Sequence, residues 1–131
     1  MHRIFSALTV LFCCFVGWII YLANTGQASP FFKLVRTIPY GDKVGHMLIF
    51  GLLTLGFNVM SKFKVFTLIR LKMFVGTTLV ASFALLEELS QHFVASRILD
   101  MGDLLADVIG ISLATLLCWL WLRFRPLSHK K

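Results

Sequence analysis

Acidic residues are scarce, with six Asp and Glu in 131 residues, and charged residues of both signs reach only 15%. Soluble domains carry about 25%. Hydrophobic residues make up 58%, more apolar surface than a soluble fold of this size can hide. The same balance excludes a disordered chain, which lacks apolar payload. Cysteine is equally sparse. Cys13, Cys14 and Cys118 all lie inside apolar runs, with no C-x-x-C and no Cys/His pair, which reads as small packing residues rather than a redox or metal centre. There is no internal repeat, no low-complexity tract, no H-E-x-x-H, no G-x-S-x-G and no sequence like the lipid phosphatase motifs. Nor is there a basic patch interleaved with aromatics, so the net charge of +7 does not point to nucleic acid. What remains is a membrane protein with room for one domain, residues 1–131, whose first partner is the lipid bilayer.

Four apolar runs are present, and a spanning helix needs about 20 such residues at 1.5 Å rise. They predict spans at 4–23, 44–60, 71–91 and 104–122. None shows period-two alternation, which argues against a barrel. The first run follows Arg3 and precedes Gly26-Gln27-Ala28, as a signal peptide would. It exceeds the usual 7–15 residue apolar region, and Trp18 with Tyr21 near its end suits an interfacial anchor. It is therefore read as a retained helix. Between the first two runs, Ser29-Pro30 reads as a helix start. Phe31, Phe32, Leu34, Val35 and Ile38 then alternate with Lys33 and Arg36, as in a short helix lying in the interface. Residues 61–72 read as a basic turn. The expected fold class is thus all-α, an integral membrane bundle of four transmembrane helices plus a short interfacial helix in the first outer loop.

With an even number of spans both termini share one side. If that side is cytoplasmic, Arg3, Lys62, Lys64, Arg70, Lys72, Arg123, Arg125, Lys130 and Lys131 lie inside and Lys33, Arg36, Lys43 and Arg97 outside, nine against four. That is a positive-inside bias. The acidic residues did not enter the count, yet Asp42, Glu87, Glu88, Asp100, Asp103 and Asp107 all fall at the outer end.

Ionisable residues at membrane depth are expensive and mark functional sites by default; they also serve to keep buried charges paired. Asp42 and His46 are four apart and share a helix face, with Lys43 beside them. Asp103, Asp107, Gly110 and Ala114 share a face of the last helix. Asp103 also suits the helix dipole, and Gly110 permits close helix approach. Glu87, Glu88 and Gln91 lie near the outer end of the third run. Glu88 needs a partner there, and the nearest cations are Arg97, Lys43 and His46, with Gln91 one turn away on its own face. Convergence of Glu88, His46 and Arg97 at the outer boundary is the sharpest expectation. Glu87, about 100° round the helix, is expected to matter less.

The ordered pattern Asp42-Lys43-x-x-His46, Glu88-x-x-Gln91, then Arg97-x-x-Asp100-x-x-Asp103-x-x-x-Asp107-x-x-Gly110 resembles the VanZ-like family, in which a D-K-x-x-H helix start is followed by E-x-x-Q and by R and D positions ahead of the last helix. Members often carry Asn where Asp107 stands. The resemblance covers more than half of the chain. It implies a multi-pass protein of the bacterial cytoplasmic (inner) membrane, similar to a namesake linked to teicoplanin resistance; the expectation that both termini are cytoplasmic comes from the basic bias. It supplies no reaction.

Three function classes fit. The first is an envelope protein whose polar cluster of Asp42, Lys43, His46, Glu88, Gln91, Arg97, Asp100, Asp103 and Asp107 binds a lipid-linked cell-wall precursor, a glycopeptide or another membrane protein. In that reading Lys43, His46 and Arg97 meet phosphate. The second is a membrane-embedded enzyme acting on such a lipid, with His46 and a carboxylate in acid/base work or with Asp, Glu and His holding a metal. The third is a small proton-coupled transporter carrying its proton on Glu87 or Glu88, which needs an oligomer. The first is preferred, and it calls for no cofactor and no metal.

Overall fold

The computed structural model describes residues 2–27, 29–95 and 97–124, apart from the side chain of Phe31. In chain order the elements are α1 (His2–Asn24), α2 (Pro30–Thr37), α3 (Gly41–Met60), β1 (Val65–Leu68), β2 (Leu71–Phe74), α4 (Val75–Gln91) and α5 (Met101–Phe124). The long apolar runs become α1, α3 and α5, each extending a few residues beyond the predicted limits because polar flanking residues complete the terminal turns. Ser29 precedes α2, and its carbonyl accepts the Lys33 N–H at 3.2 Å.

Among the described residues three helices, α1, α3 and α5, are long and apolar enough to cross a membrane, not four. The third predicted span fails at its beginning. Residues 71–74 are not helical: they form β2, paired antiparallel with β1 in the register Val65↔Phe74 to Leu68↔Leu71. The expected basic turn is therefore a hairpin, and the chain is not purely α. Its two-residue tip, Ile69-Arg70, has both φ angles positive, at 46° and 76°, the backbone of a type I′ turn. With the hairpin taking four residues, α4 keeps 17, about 25 Å at 1.5 Å per residue, and two carboxylates lie in its last turns.

α3 is the hub. Its most extensive packing is against α5, and it also packs on α4, α1 and α2. α3 and α5 run parallel, since His46 meets Asp107 at one end and Asn58 meets Cys118 at the other. α1 and α4 run antiparallel to them, as Thr9 packs at Gly56 and Thr77 bonds Asn58. One core joins all four through Val16, Phe50, Leu53, Val80, Ala84 and Ile111. Side chains such as Leu8, Leu11, Leu48, Leu52, Leu113 and Leu116 point outward and stay exposed, the arrangement expected when the surrounding medium is lipid. At the α3–α5 crossing two glycines oppose each other: a Cβ on Gly51 would sit 3.3 Å from the Gly110 carbonyl.

The two ends of the bundle differ. At the hairpin end a buried amide organises the start of α4. Asn58 Oδ1 accepts the Thr77 N–H at 2.9 Å, and its Nδ2 donates to Thr77 Oγ1 at 3.0 Å and Cys118 Sγ at 3.5 Å. This satisfies one of the free N–H groups that a helix start leaves. At the other end, where α1 and α4 finish and α3 and α5 begin, the acidic residues gather.

Candidate functional site

The start of α5 builds one wall. Asp100 stands just before the helix, and its Oδ1 accepts the Gly102 N–H at 2.7 Å, the geometry of an N-cap. Its Oδ2 receives Lys43 Nζ at 2.7 Å, and the same ammonium reaches Asp103 Oδ1 at 2.9 Å. Lys43 thus ties the first turn of α3 to the first turn of α5. The Lys43 ammonium, together with the Gly102 N–H, holds the Asp100 carboxyl below the ordinary carboxylate value.

One turn deeper, His46 Nδ1 lies 3.0 Å from Asp107 Oδ1. Asp107 is fully buried, and its Oδ2 has no hydrogen-bond partner among the described residues. On the other ring nitrogen, Nε2 is 3.9 Å from Asp103 Oδ2, too far for a hydrogen bond. Asp42, one turn before His46, is exposed. Gly110 continues the face of Asp103 and Asp107 and lies against the Met47 carbonyl.

The end of α4 builds the opposite wall. Gln91 Nε2 donates to Glu87 Oε2 at 3.1 Å and to Glu88 Oε2 at 2.7 Å. One amide serves both carboxylates because they stand four and three residues before it, and both positions are within reach on a helix. The two then diverge. Glu88, 1% exposed, turns into the protein, where its Oε1 accepts the Asp100 N–H at 3.0 Å. Glu87 faces the cavity and pairs with Arg97 at 3.2 Å. Arg97 also donates to Asn24 Oδ1 at 3.3 Å. The expected pairing of Arg97 with Glu88 is thus corrected to Glu87. Burial of Glu88 behind the 97–100 segment leaves it a backbone N–H as partner and leaves Glu87 to meet the arginine.

Between these walls and α1 with α2 lies a cavity of about 870 Å³. Its apolar side is made by Val16, Ile19 and Ile20 of α1 with Ile49 and Phe50 of α3. Its polar side holds Asp42, His46, Glu87, Gln91, Arg97, Asp100 and Asp103. Lys33 and Arg36 of α2 also reach it, and neither has an ion-pair partner among the described residues. That revises the assignment of cations. Lys43 and Arg97 are already committed to carboxylates, so the charges open to an incoming anion come from α2. Nothing in the residue pattern links α2 to the distant acidic motifs; only the folding back of the 25–40 segment brings it there. Glu87 is likewise a lining residue that the E-x-x-Q spacing passes over.

No protein-family model, no curated protein and no solved structure matches this chain.

Proposed function

We propose that this helical membrane protein is a binding protein of the bacterial envelope, of the VanZ-like kind, whose cavity receives an amphipathic lipid with a phosphate-bearing head. The observation that carries the reading is the cavity itself: apolar α1 and α3 side chains on one side, and Lys33 and Arg36, without an ion-pair partner among the described residues, beside a set of hydrogen-bonding groups on the other. An acyl or polyprenyl chain fits the first surface and a phosphate the second, while the carboxylates and Gln91 offer acceptors and donors to a sugar or peptide hydroxyl or amide. Asp42, His46, Gln91, Arg97, Asp100 and Asp103 of the ordered motifs line one volume, which supports the family reading. The excess of basic residues at the hairpin end supports both termini being cytoplasmic and the cavity opening toward the outer face. A lipid-linked cell-wall precursor is the ligand class that combines these features.

The test is native mass spectrometry of the protein in mild detergent with a polyprenyl phosphate, phosphatidylcholine serving as comparison. The reading expects a polyprenyl phosphate adduct that outlasts the phosphatidylcholine one, weakened about tenfold or more in the Lys33→Ala/Arg36→Ala double variant, the loss expected when charge-assisted contacts disappear. Equal retention of the two lipids, or an unchanged adduct in the double variant, would overturn it.

A further inference from the structure

We propose that Asp42, His46 and Asp103 form a binding site for one divalent transition-metal cation, with Asp107 as a positioning residue for the histidine. Asp42 and His46 stand one turn apart at the start of α3, and the first turn of α5 brings Asp103 opposite them. Each offers one donor atom, and the three atoms lie within 4.8 Å of one another. Donors of one tetrahedral cation with bonds of about 2.0–2.2 Å are roughly 3.3–3.6 Å apart. His46 Nε2 and Asp103 Oδ2, 3.9 Å apart, are too far for a hydrogen bond and need only a small inward rotation of the carboxylate to serve as two ligands of one ion.

The donor atoms are also the free ones. Lys43 occupies Asp103 Oδ1 and leaves Oδ2. Asp42 has no ion-pair partner among the described residues. With Asp107 ionised its carboxylate only accepts, and the 3.0 Å contact then takes the proton of His46 Nδ1. The lone pair of Nε2 then faces Asp103. A carboxylate behind an imidazole in this way is the usual support of a metal-bound histidine.

A second observation points the same way. Asp107 is wholly buried, and its Oδ2 has no partner among the described residues. A buried carboxylate with one unsatisfied oxygen is poorly compensated by a neutral imidazole alone. It is well compensated when that imidazole carries a cation on its far nitrogen. The three ligands belong to the cavity wall, so coordination positions not filled by protein open to the cavity, as in sites where a metal meets water or substrate. One imidazole with two carboxylates favours Zn2+ or Mn2+ over Mg2+ and Ca2+, whose preferred ligands are all oxygen. The inference rests on these side chains and not on the lipid reading, and its test uses no lipid.

The experiment is calorimetric titration of chelator-stripped protein in mild detergent with Zn2+ alone, then with Mn2+, Mg2+ and Ca2+, with bound metal counted after desalting. One Zn2+ per chain is expected, with Mg2+ and Ca2+ binding at least tenfold more weakly. Asp42→Asn, at an exposed position where folding is not at stake, and His46→Gln should each weaken Zn2+ binding at least tenfold, while His92→Gln leaves it unchanged. Asp107→Asn should cost 10–100-fold, the range for loss of such a support, and should alter the visible spectrum of the Co2+-loaded protein, which a purely structural role would not do. Absence of Zn2+ binding at about 1 mM would overturn the proposal. So would Mg2+ binding as tight as Zn2+, or Zn2+ binding unchanged in both Asp42→Asn and His46→Gln. An unaltered Co2+ spectrum in Asp107→Asn would remove the positioning role.

Discussion

Gly110 of α5 lies so close to the main-chain carbonyl of Met47 on α3 that a Cβ at this position would overlap the oxygen. The two helices that carry His46 and Asp107 are therefore seated backbone to backbone, and the charged pairs above depend on that separation. Gly110→Ala should force the helices apart and cost about 1–3 kcal/mol, the range for overpacking. Val108→Leu, on the exposed face of the same helix, should change stability by no more than about 0.5 kcal/mol. Thermal unfolding in mild detergent compares them, and equal melting temperatures would contradict the close approach.

Glu88 and Glu87 should separate by role. Glu88→Ala removes an acceptor of the buried Gln91 amide and the acceptor of the part-buried Asp100 N–H and should cost about 1–3 kcal/mol, the penalty for an unsatisfied buried donor. Glu87→Ala leaves Arg97 its bond to Asn24 and a cavity into which water can move, so its melting temperature should fall less. A larger fall for Glu87→Ala would reverse the assignment.

Asp100 makes the start of α5 sensitive to acid. Lys43 first, and the Gly102 N–H second, hold its carboxyl below the ordinary value of 3.8. A carboxyl depressed in the folded state stabilises the protein above its unfolded pKa and loses that contribution as pH falls through the folded one. Wild-type protein should therefore melt above Asp100→Asn near neutral pH, and the gap should close as pH falls below the ordinary carboxylate value and through the depressed one of the folded state. The gap is expected to be small and to shrink with salt, since Asp100 is exposed. A gap that widens on acidification would show the sign to be wrong.

The hairpin tip carries the wrong residues for its backbone. A β-branched side chain at positive φ is unfavourable by about 1–2 kcal/mol, and Ile69 holds φ at 46°. Type I′ turns favour Asn-Gly. The double variant Ile69→Asn/Arg70→Gly should raise the melting temperature, a gain of about 1–2 kcal/mol. A lowered melting temperature would indicate that the turn or the Ile69 side chain is held by something the substitution removes.

That tip also explains where the fold was hidden in the sequence. The runs behind α1, α3 and α5 are long enough that only a helix satisfies their backbone in an apolar medium, and the Ser-Pro start with its apolar spacing exposes α2. Leu71, Met73 and Phe74 are apolar, interrupted by Lys72 alone, and run on into α4, and a short apolar run does not distinguish strand from helix. Without Gly or Asn at residues 69 and 70 no turn signal separates it. At the site, helical spacing makes Asp42 and His46 neighbours, and likewise Asp103 and Asp107. It does not say which glutamate Arg97 meets, because the path of the 92–100 segment decides that. Nor does it bring Lys33 and Arg36 to the cavity, which follows from α2 folding back over α3.

The placement of charge along the bundle has an electrical consequence. All six carboxylates stand at the cavity end with Lys33, Arg36, Lys43 and Arg97, while Arg3, Lys62, Lys64, Arg70, Lys72 and Arg123 stand at the hairpin end without any acid. The folded chain is a dipole directed along its helices. A membrane potential acts on each elementary charge moved across it with about 2.3 kcal/mol per 100 mV. The potential of an energised membrane therefore favours one orientation of this dipole, with the hairpin on the negative side, and reversing the chain would work against that field at every unpaired lysine and arginine of the hairpin end.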